Sequence, residues 1–93
     1  MYAVAFDLDT DALKQSYGAP CNNAYAEIKR FLQGEGFDWQ QGSVYFGNPT
    51  KINAVSCVVA VAKLSRQFTW FAACVKDVRM LRIEENNDLR PAL

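Results

Sequence analysis

The order in which extended and helical patterns follow one another limits the fold of this chain more than any other feature of its sequence. Residues 2–8 alternate large side chains with small or polar ones, a period of two that predicts a strand. A short helix is predicted over residues 11–17. A longer helix is predicted from Asn22 or Asn23 to about Leu32, because apolar side chains recur there at helical spacing.

A hairpin and a second long helix are predicted next. Aromatic and β-branched side chains gather in residues 37–39 and 43–46, which predicts two short strands joined by a turn. Residues 53–66 are almost uniformly apolar, and their length favours a helix, although periodicity alone leaves a strand open. Thr50 or Asn53 would cap such a helix.

The last part of the chain completes a βαββαβ order. Thr69 is predicted to open a short helical turn, and residues 77–84 are predicted to form the final strand. This order is typical of the ferredoxin-like α+β fold, an antiparallel four-stranded sheet with both main helices on one face. A chain of 93 residues is too short for a second core, so we expect residues 1–93 to form one domain.

The second face of such a sheet would be too apolar to leave in water. We assign five large side chains to it: Tyr2, Trp39, Tyr45, Val78 and Met80. Large exposed apolar patches usually mark interfaces, and pairing with another copy is the most economical way to cover one. We therefore predict a homodimer formed through the sheet.

Charge and composition exclude several classes of function. Ten Lys and Arg balance ten Asp and Glu, so no overall field draws the chain to nucleic acid or an anionic membrane, although residues 51–82 carry a net charge of +5. Histidine is absent, which excludes a Ser-His-Asp triad, a Cys-His dyad and a histidine-pair ribonuclease. Cys21, Cys57 and Cys74 fit neither a metal knuckle nor a disulfide framework. We expect free thiols, a cytoplasmic protein and no membrane association.

Asp7 and Asp9 are the first candidates for chemistry. In an extended chain they point to the same side at the end of the first strand, so two carboxylates would converge there. Such a pair suits a Mg²⁺ ion that keeps most of its waters, with Asp7 as a ligand, or a carboxyl group that acts as a general base. The structural alternative is that Asp9 and Asp11 only cap the following helix.

The hairpin and the last strand carry the other candidates. Ser43 and the turn amides beside Gln41 would donate to a phosphate, and Tyr45 would stack on a base; the alternative is an ordinary hairpin with a core tyrosine. Arg79 and Arg82 fall on opposite sides of a strand, so one of them would reach Asp7 or a phosphate. A salt bridge is the alternative for these arginines.

Over its whole length the sequence resembles the virulence-associated protein D (VapD) family. The resemblance lies in five stretches, in order and at matching intervals: MYAVAFDLDT (1–10), NAY (23–25), GFDWQQGSVY (36–45), VKDVR (75–79) and RIEE (82–85). It implies a ferredoxin-like homodimer that acts as an endoribonuclease and is related to the nuclease subunit of CRISPR spacer acquisition. Some members are virulence-associated toxins of toxin–antitoxin pairs.

The resemblance also implies roles for individual residues. The aspartate at the end of the first strand corresponds to Asp7 and would lie in the dimer cleft. Ser43 matches the hairpin serine of the family, and Asp77 and Arg79 match its last-strand Asp-x-Arg.

Three hypotheses about function follow. In the first, the protein cleaves RNA: Asp7 of each subunit orients a water or the ribose 2′-hydroxyl with help from Asp9, while Ser43 and Arg79 hold the phosphate. In the second, a catalytically silent dimer binds RNA or a protein through residues 51–82. In the third, the protein is a toxin whose cleft a cognate antitoxin covers.

Overall fold

The computed structural model describes residues 1–18 and 20–93. The described chain has four strands, four helices and a final 3₁₀ turn, in this order: β1 Tyr2–Leu8, α1 Thr10–Tyr17, α2 Cys21–Gly34, β2 Phe37–Gln41, β3 Val44–Gly47, α3 Ala54–Gln67, α4 Thr69–Cys74, β4 Val75–Arg82 and the 3₁₀ turn Arg90–Ala92. No helix within the described ranges is long and apolar enough to cross a membrane.

The strands form one antiparallel sheet in the order β2-β3-β1-β4. This order is consistent with a ferredoxin-like fold, so the predicted fold class is confirmed. Val4, in the centre of the sheet, has Tyr45 on one side and Met80 on the other as its register partners. Alternate residues of β1 join the buried residues of α2 and α3 in one core, which puts both main helices on the same face.

The prediction of which side chains form the second face of the sheet is wrong. Tyr45 is only 3% exposed and stacks on Phe6 in the core. Val78 and Met80 are the partners of Phe6 and Val4, so they too point toward the helices. The physical reason is register, because one residue of shift moves every side chain of a strand to the other face.

The side of the sheet away from the helices, called the open face below, is built from other residues. By register and alternation it carries seven side chains of the three strands β1, β3 and β4: Ala3, Ala5, Val44, Phe46, Asp77, Arg79 and Leu81. Asp7 lies on the same side at the end of β1. This face therefore combines an apolar centre with a charged end.

The predicted helices are confirmed with shifted ends. Asn53 caps α3 in a reciprocal arrangement with Ser56, as its position before the apolar run predicts. Asn22 and Asn23 do not cap α2, which begins one residue earlier at Cys21 and has no side-chain cap. β4 begins at Val75 because α4 runs directly into it.

Candidate active site

Asp7 is the exposed last polar residue of β1 and lies between two neighbouring strands. On the β4 side its register partner is Asp77. On the β3 side, the amide of the preceding residue, Phe6, donates to the carbonyl oxygen of Ser43 at 3.2 Å. The pairing thus brings Asp7, Ser43 and Asp77 to one end of the sheet, with Asp7 and Asp77 on the open face and Ser43 on the helix side.

Arg79 contacts a carboxylate of the same strand. Its Nε donates to Oδ2 of Asp77 at 2.8 Å, and both side chains are exposed. Arg79 is the register partner of Ala5 and Arg82 that of Tyr2, so the two arginines lie on opposite faces, as predicted. The Arg79 guanidinium is consequently held on the open face, one pair of residues away from Asp7.

Asp9 does not share the open face with Asp7. It lies after β1 as the N-cap of α1, and its Oδ1 accepts from the Ala12 amide at 3.0 Å. Its own amide donates to the carbonyl oxygen of Cys74 at 2.7 Å. The capping alternative therefore describes Asp9, which fixes the point where the chain leaves β1.

A groove of about 440 Å³ opens between α2 and the β2–β3 hairpin. It contains Ser43 and Tyr45, two of the sequence candidates, together with six residues that the sequence reasoning missed as site residues: Asn22, Tyr25, Ala26, Lys29, Trp39 and Gly42. A signal for three of them was present, since Asn22, Ala26 and Lys29 recur at four- and three-residue spacing along one side of a helix.

The aromatic side chains of this groove are fixed by polar contacts. Nε1 of Trp39 donates to the carbonyl oxygen of Gly42 at 2.8 Å, and Nζ of Lys29 lies 4.4 Å from the centre of the Trp39 ring. Burial, the Cys21 thiol and the Asp7 carboxylate, in decreasing order, raise the pKa of the Tyr25 phenol above its ordinary value.

Gln41 lies apart from this groove. It is paired with Val44 next to a register shift in the hairpin, and it lines a separate depression together with Phe46 and Asn86. The structure therefore brings Asn86 of the C-terminal tail to the depression that Gln41 lines.

Carboxylates are few at the site. The described ranges contain no group of three or more His, Cys, Asp or Glu side chains that would hold a metal ion. Asp7 and Asp77 are two carboxylates on adjacent strands, and a Mg²⁺ ion that keeps most of its waters takes only one or two. The donor set thus fits a hydrated Mg²⁺ ion and does not fit a metal held entirely by protein.

Comparison with known proteins gives consistent matches over the whole chain. The profile of the family described as CRISPR associated protein Cas2 matches residues 1–90. The chain is 55% identical to Endoribonuclease VapD 2 of Riemerella anatipestifer, covering 100% of this chain and 99% of the relative. It is 57% identical to the Endoribonuclease VapD homolog of Helicobacter pylori, covering 100% and 96%. Endoribonuclease VapD of Dichelobacter nodosus is 43% identical over 95% of this chain and 91% of its own.

The fold and the site define a small ferredoxin-like α+β protein with an aspartate at the end of its central strand β1. The chain belongs to the Cas2 family and, within these matches, to the VapD proteins. The resemblance drawn from the sequence is therefore confirmed.

Proposed function

We propose that this protein is an endoribonuclease in which Asp7 of each subunit of a homodimer orients the attacking oxygen. Its close relatives carry the name endoribonuclease, which supports an RNA-cleaving hydrolase. The observation that carries the role of Asp7 is its position: an exposed carboxylate with Asp77 on one side and the hairpin turn on the other.

Each residue of the site has its own role in this reaction. Without histidine, proton transfer falls to a carboxylate, so Asp7 accepts the proton of a water or of the ribose 2′-hydroxyl. The Arg79 guanidinium, on the open face with Asp7, binds the scissile phosphate and stabilises its developing charge. The Ser43 hydroxyl lines the groove on the helix side, so it contacts the substrate beside that phosphate. Asp77 holds Arg79 through their 2.8 Å contact. Asp9, as a helix cap, positions the end of β1.

A Mg²⁺ ion fits the same proposal as a cofactor. Asp7 and Asp77 would hold it, and when bound it supplies positive charge to the phosphate and lowers the pKa of a bound water. The chain's own part is to keep the two carboxylates at one end of the sheet, which the register of β1 and β4 does.

The proposal includes the partners and setting of the enzyme. The open face is the dimer surface, because its apolar centre is the part of the sheet that no helix of the described chain covers. RNA is the substrate, and the reducing cytoplasm fits the three free thiols. A cognate antitoxin would act by covering the Asp7 cleft, and its coexpression would then relieve growth arrest caused by the wild type alone.

The basic stretch, residues 51–82, supports the alternative function of RNA binding without cleavage less well than Asp7 supports cleavage. Of its six Lys and Arg, three already face carboxylates: Lys63 at 3.4 Å from Glu35, Arg79 at 2.8 Å from Asp77 and Arg82 at 3.5 Å from Glu84. Neutralised cations add little to the counterion release that drives RNA binding.

The test compares cleavage of an end-labelled RNA by the wild type, Asp7→Asn and Asp38→Asn, with Mg²⁺ and with EDTA. Asp38 is the matched control, since it is an exposed carboxylate of the same sheet and pairs with Phe46 away from Asp7. We expect the loss of at least about 100-fold in rate for Asp7→Asn and wild-type activity for Asp38→Asn.

The same experiment reads the mechanism from the products. A cyclic phosphate end means attack by the 2′-hydroxyl, and a 3′-hydroxyl end excludes it. If folded, dimeric Asp7→Asn cleaves at the wild-type rate, the assignment of Asp7 is wrong. If RNA is bound but left intact by the wild type, the protein is a binding module instead.

A further inference from the structure

We propose that the groove between α2 and the β2–β3 hairpin is a nucleobase subsite, in which one base of single-stranded RNA stacks on Trp39 beside the cleavage position. This inference rests on the proposed ribonuclease function and extends it, because it names a part of the enzyme that reads the substrate. The proposed occupant of the groove is a base, and not a phosphate alone.

Trp39 is the first reason. The residue is 45% exposed, although a tryptophan of an ordinary surface would be expected to bury more of its large ring. The ring is nevertheless held in one orientation by the 2.8 Å hydrogen bond from Nε1 to the Gly42 carbonyl. An exposed aromatic ring that is already ordered is the element on which RNA-binding proteins stack unpaired bases.

The polar groups around the ring are the second reason. The Asn22 amide, the Lys29 ammonium and the Ser43 hydroxyl all line the same groove. A carboxamide presents donors and an acceptor to the edge of a base, and an ammonium adds attraction for the neighbouring phosphate. The groove also has the size of a small-molecule site, at about 440 Å³.

Continuity with Asp7 is the third reason. Ser43 lies in the groove and its carbonyl accepts from Phe6, the residue before Asp7, at 3.2 Å. Tyr25 lines the groove and has its phenol pKa raised in part by the Asp7 carboxylate. A nucleotide whose base occupied the groove would therefore have its sugar–phosphate backbone at the end of the sheet where Asp7 lies on the open face.

Binding is measured first, with a probe that is not cleaved through its 2′ oxygen. The chain has two tryptophans, so in Trp70→Phe the fluorescence comes from Trp39 alone. Phenylalanine preserves the aromatic packing of position 70 against Tyr17 and Phe68. Titration with 2′-O-methyl RNA hexamers of each base should quench this fluorescence, and an abasic hexamer should not.

Variants then test the individual groups by fluorescence anisotropy of a labelled hexamer. Trp39→Ala should weaken binding roughly tenfold, the expected loss of one stacked base, and Trp39→Phe should restore much of it. Lys29→Met should weaken binding as well. Lys51→Met is its matched control, an exposed lysine in the loop after β3, and should bind like the wild type.

Cleavage separates this inference from the proposed function. If the wild type cleaves RNA and folded Trp39→Ala cleaves it with the same KM and at the same positions, the subsite is wrong and the nuclease stands. If the wild type does not cleave but its binding depends on Trp39 and on the base, the subsite stands and the nuclease assignment is wrong. Equal binding of the abasic and base-containing hexamers would overturn the subsite.

Discussion

Asp7 and Asp77 are register partners on adjacent antiparallel strands, so two carboxylates meet at one end of the open face. Like charges directly opposite each other in a sheet are destabilising. The contact of Arg79 with Asp77 offsets part of this repulsion but leaves Asp7 as an exposed carboxylate next to another. Such a pair is expected where charge serves chemistry at the expense of stability.

The first prediction is that Asp7→Asn raises stability while it removes activity. Loss of one charge relieves the repulsion by Asp77, so the free energy of unfolding should rise by about 0.2–1 kcal/mol. Urea denaturation at fixed protein concentration measures this. Asp38→Asn, whose register partner is Phe46, should change it by less than about 0.5 kcal/mol. A clear loss of stability in Asp7→Asn would mean that the carboxylate has a structural role.

The second prediction concerns the dimer surface. Leu81 on the open face and Val59 on α3 are each 43% exposed, so they form a matched pair of apolar surface positions. If two copies pack through the open face, Leu81→Glu buries an unpaired charge there and should give a 10.5 kDa monomer. Val59→Glu should keep twice that mass. Analytical ultracentrifugation at micromolar concentration distinguishes the two.

Each alternative result for the dimer has a definite meaning. A wild type that sediments only at 10.5 kDa contradicts the homodimer altogether. If Val59→Glu, and not Leu81→Glu, becomes monomeric, the interface lies on α3.

The third prediction is that Gly47 tolerates no side chain. A Cβ at Gly47 would lie 2.7 Å from Cγ2 and 2.8 Å from Cβ of Ile52, and 3.1 Å from the Tyr2 carbonyl oxygen. Because Ile52 is itself buried, Gly47→Ala should cost about 1–3 kcal/mol by overpacking. At Gly34, near the end of α2, a Cβ meets nothing within 4 Å, so Gly34→Ala is the matched control and should not destabilise. Thermal denaturation of both variants tests the difference.

The fold was predictable from the sequence because each element has a local signal. The alternation of residues 2–8 and the cap at Asn53 before a long apolar run required no distant partner to be recognised. The faces of the sheet were not predictable in the same way. The alternation of Val78 and Met80 was read correctly from the sequence. The face that they occupy depends on the register of β4 against β1, and the paired residues of these strands are about 70 positions apart in the chain.

The candidate site likewise has one part that the local sequence predicts and another that depends on long-range packing. Asp7 was found from its place at the end of an apolar strand, but its pairing with Asp77 is a property of the register. The groove was missed because its walls come from a helix and a hairpin: Lys29 and Trp39 meet only when α2 packs against β2. The spacing of Asn22 and Lys29 on one side of α2 was the only local signal of the groove.

The last prediction concerns the buried thiol and its effect at high pH. Burial raises the pKa of the Cys57 thiol, because the thiolate would have to form in an apolar environment. Burial likewise raises the pKa of the Tyr45 phenol. The folded chain thus keeps protons that the unfolded chain loses as the pH rises past about 8.5 for cysteine and about 10 for tyrosine. By linkage, stability is lost as the pH rises through this window.

Urea unfolding between pH 7 and 10.5 should therefore give a falling free energy, and Cys57→Ser should flatten the cysteine part of the fall, since its hydroxyl does not titrate there. Thiol labelling gives an independent check: partly exposed Cys21 should react fast with a thiol reagent at pH 8, and Cys57 only slowly. Rapid labelling of Cys57 in the native protein, or stability that rises with pH across this window, would contradict the account.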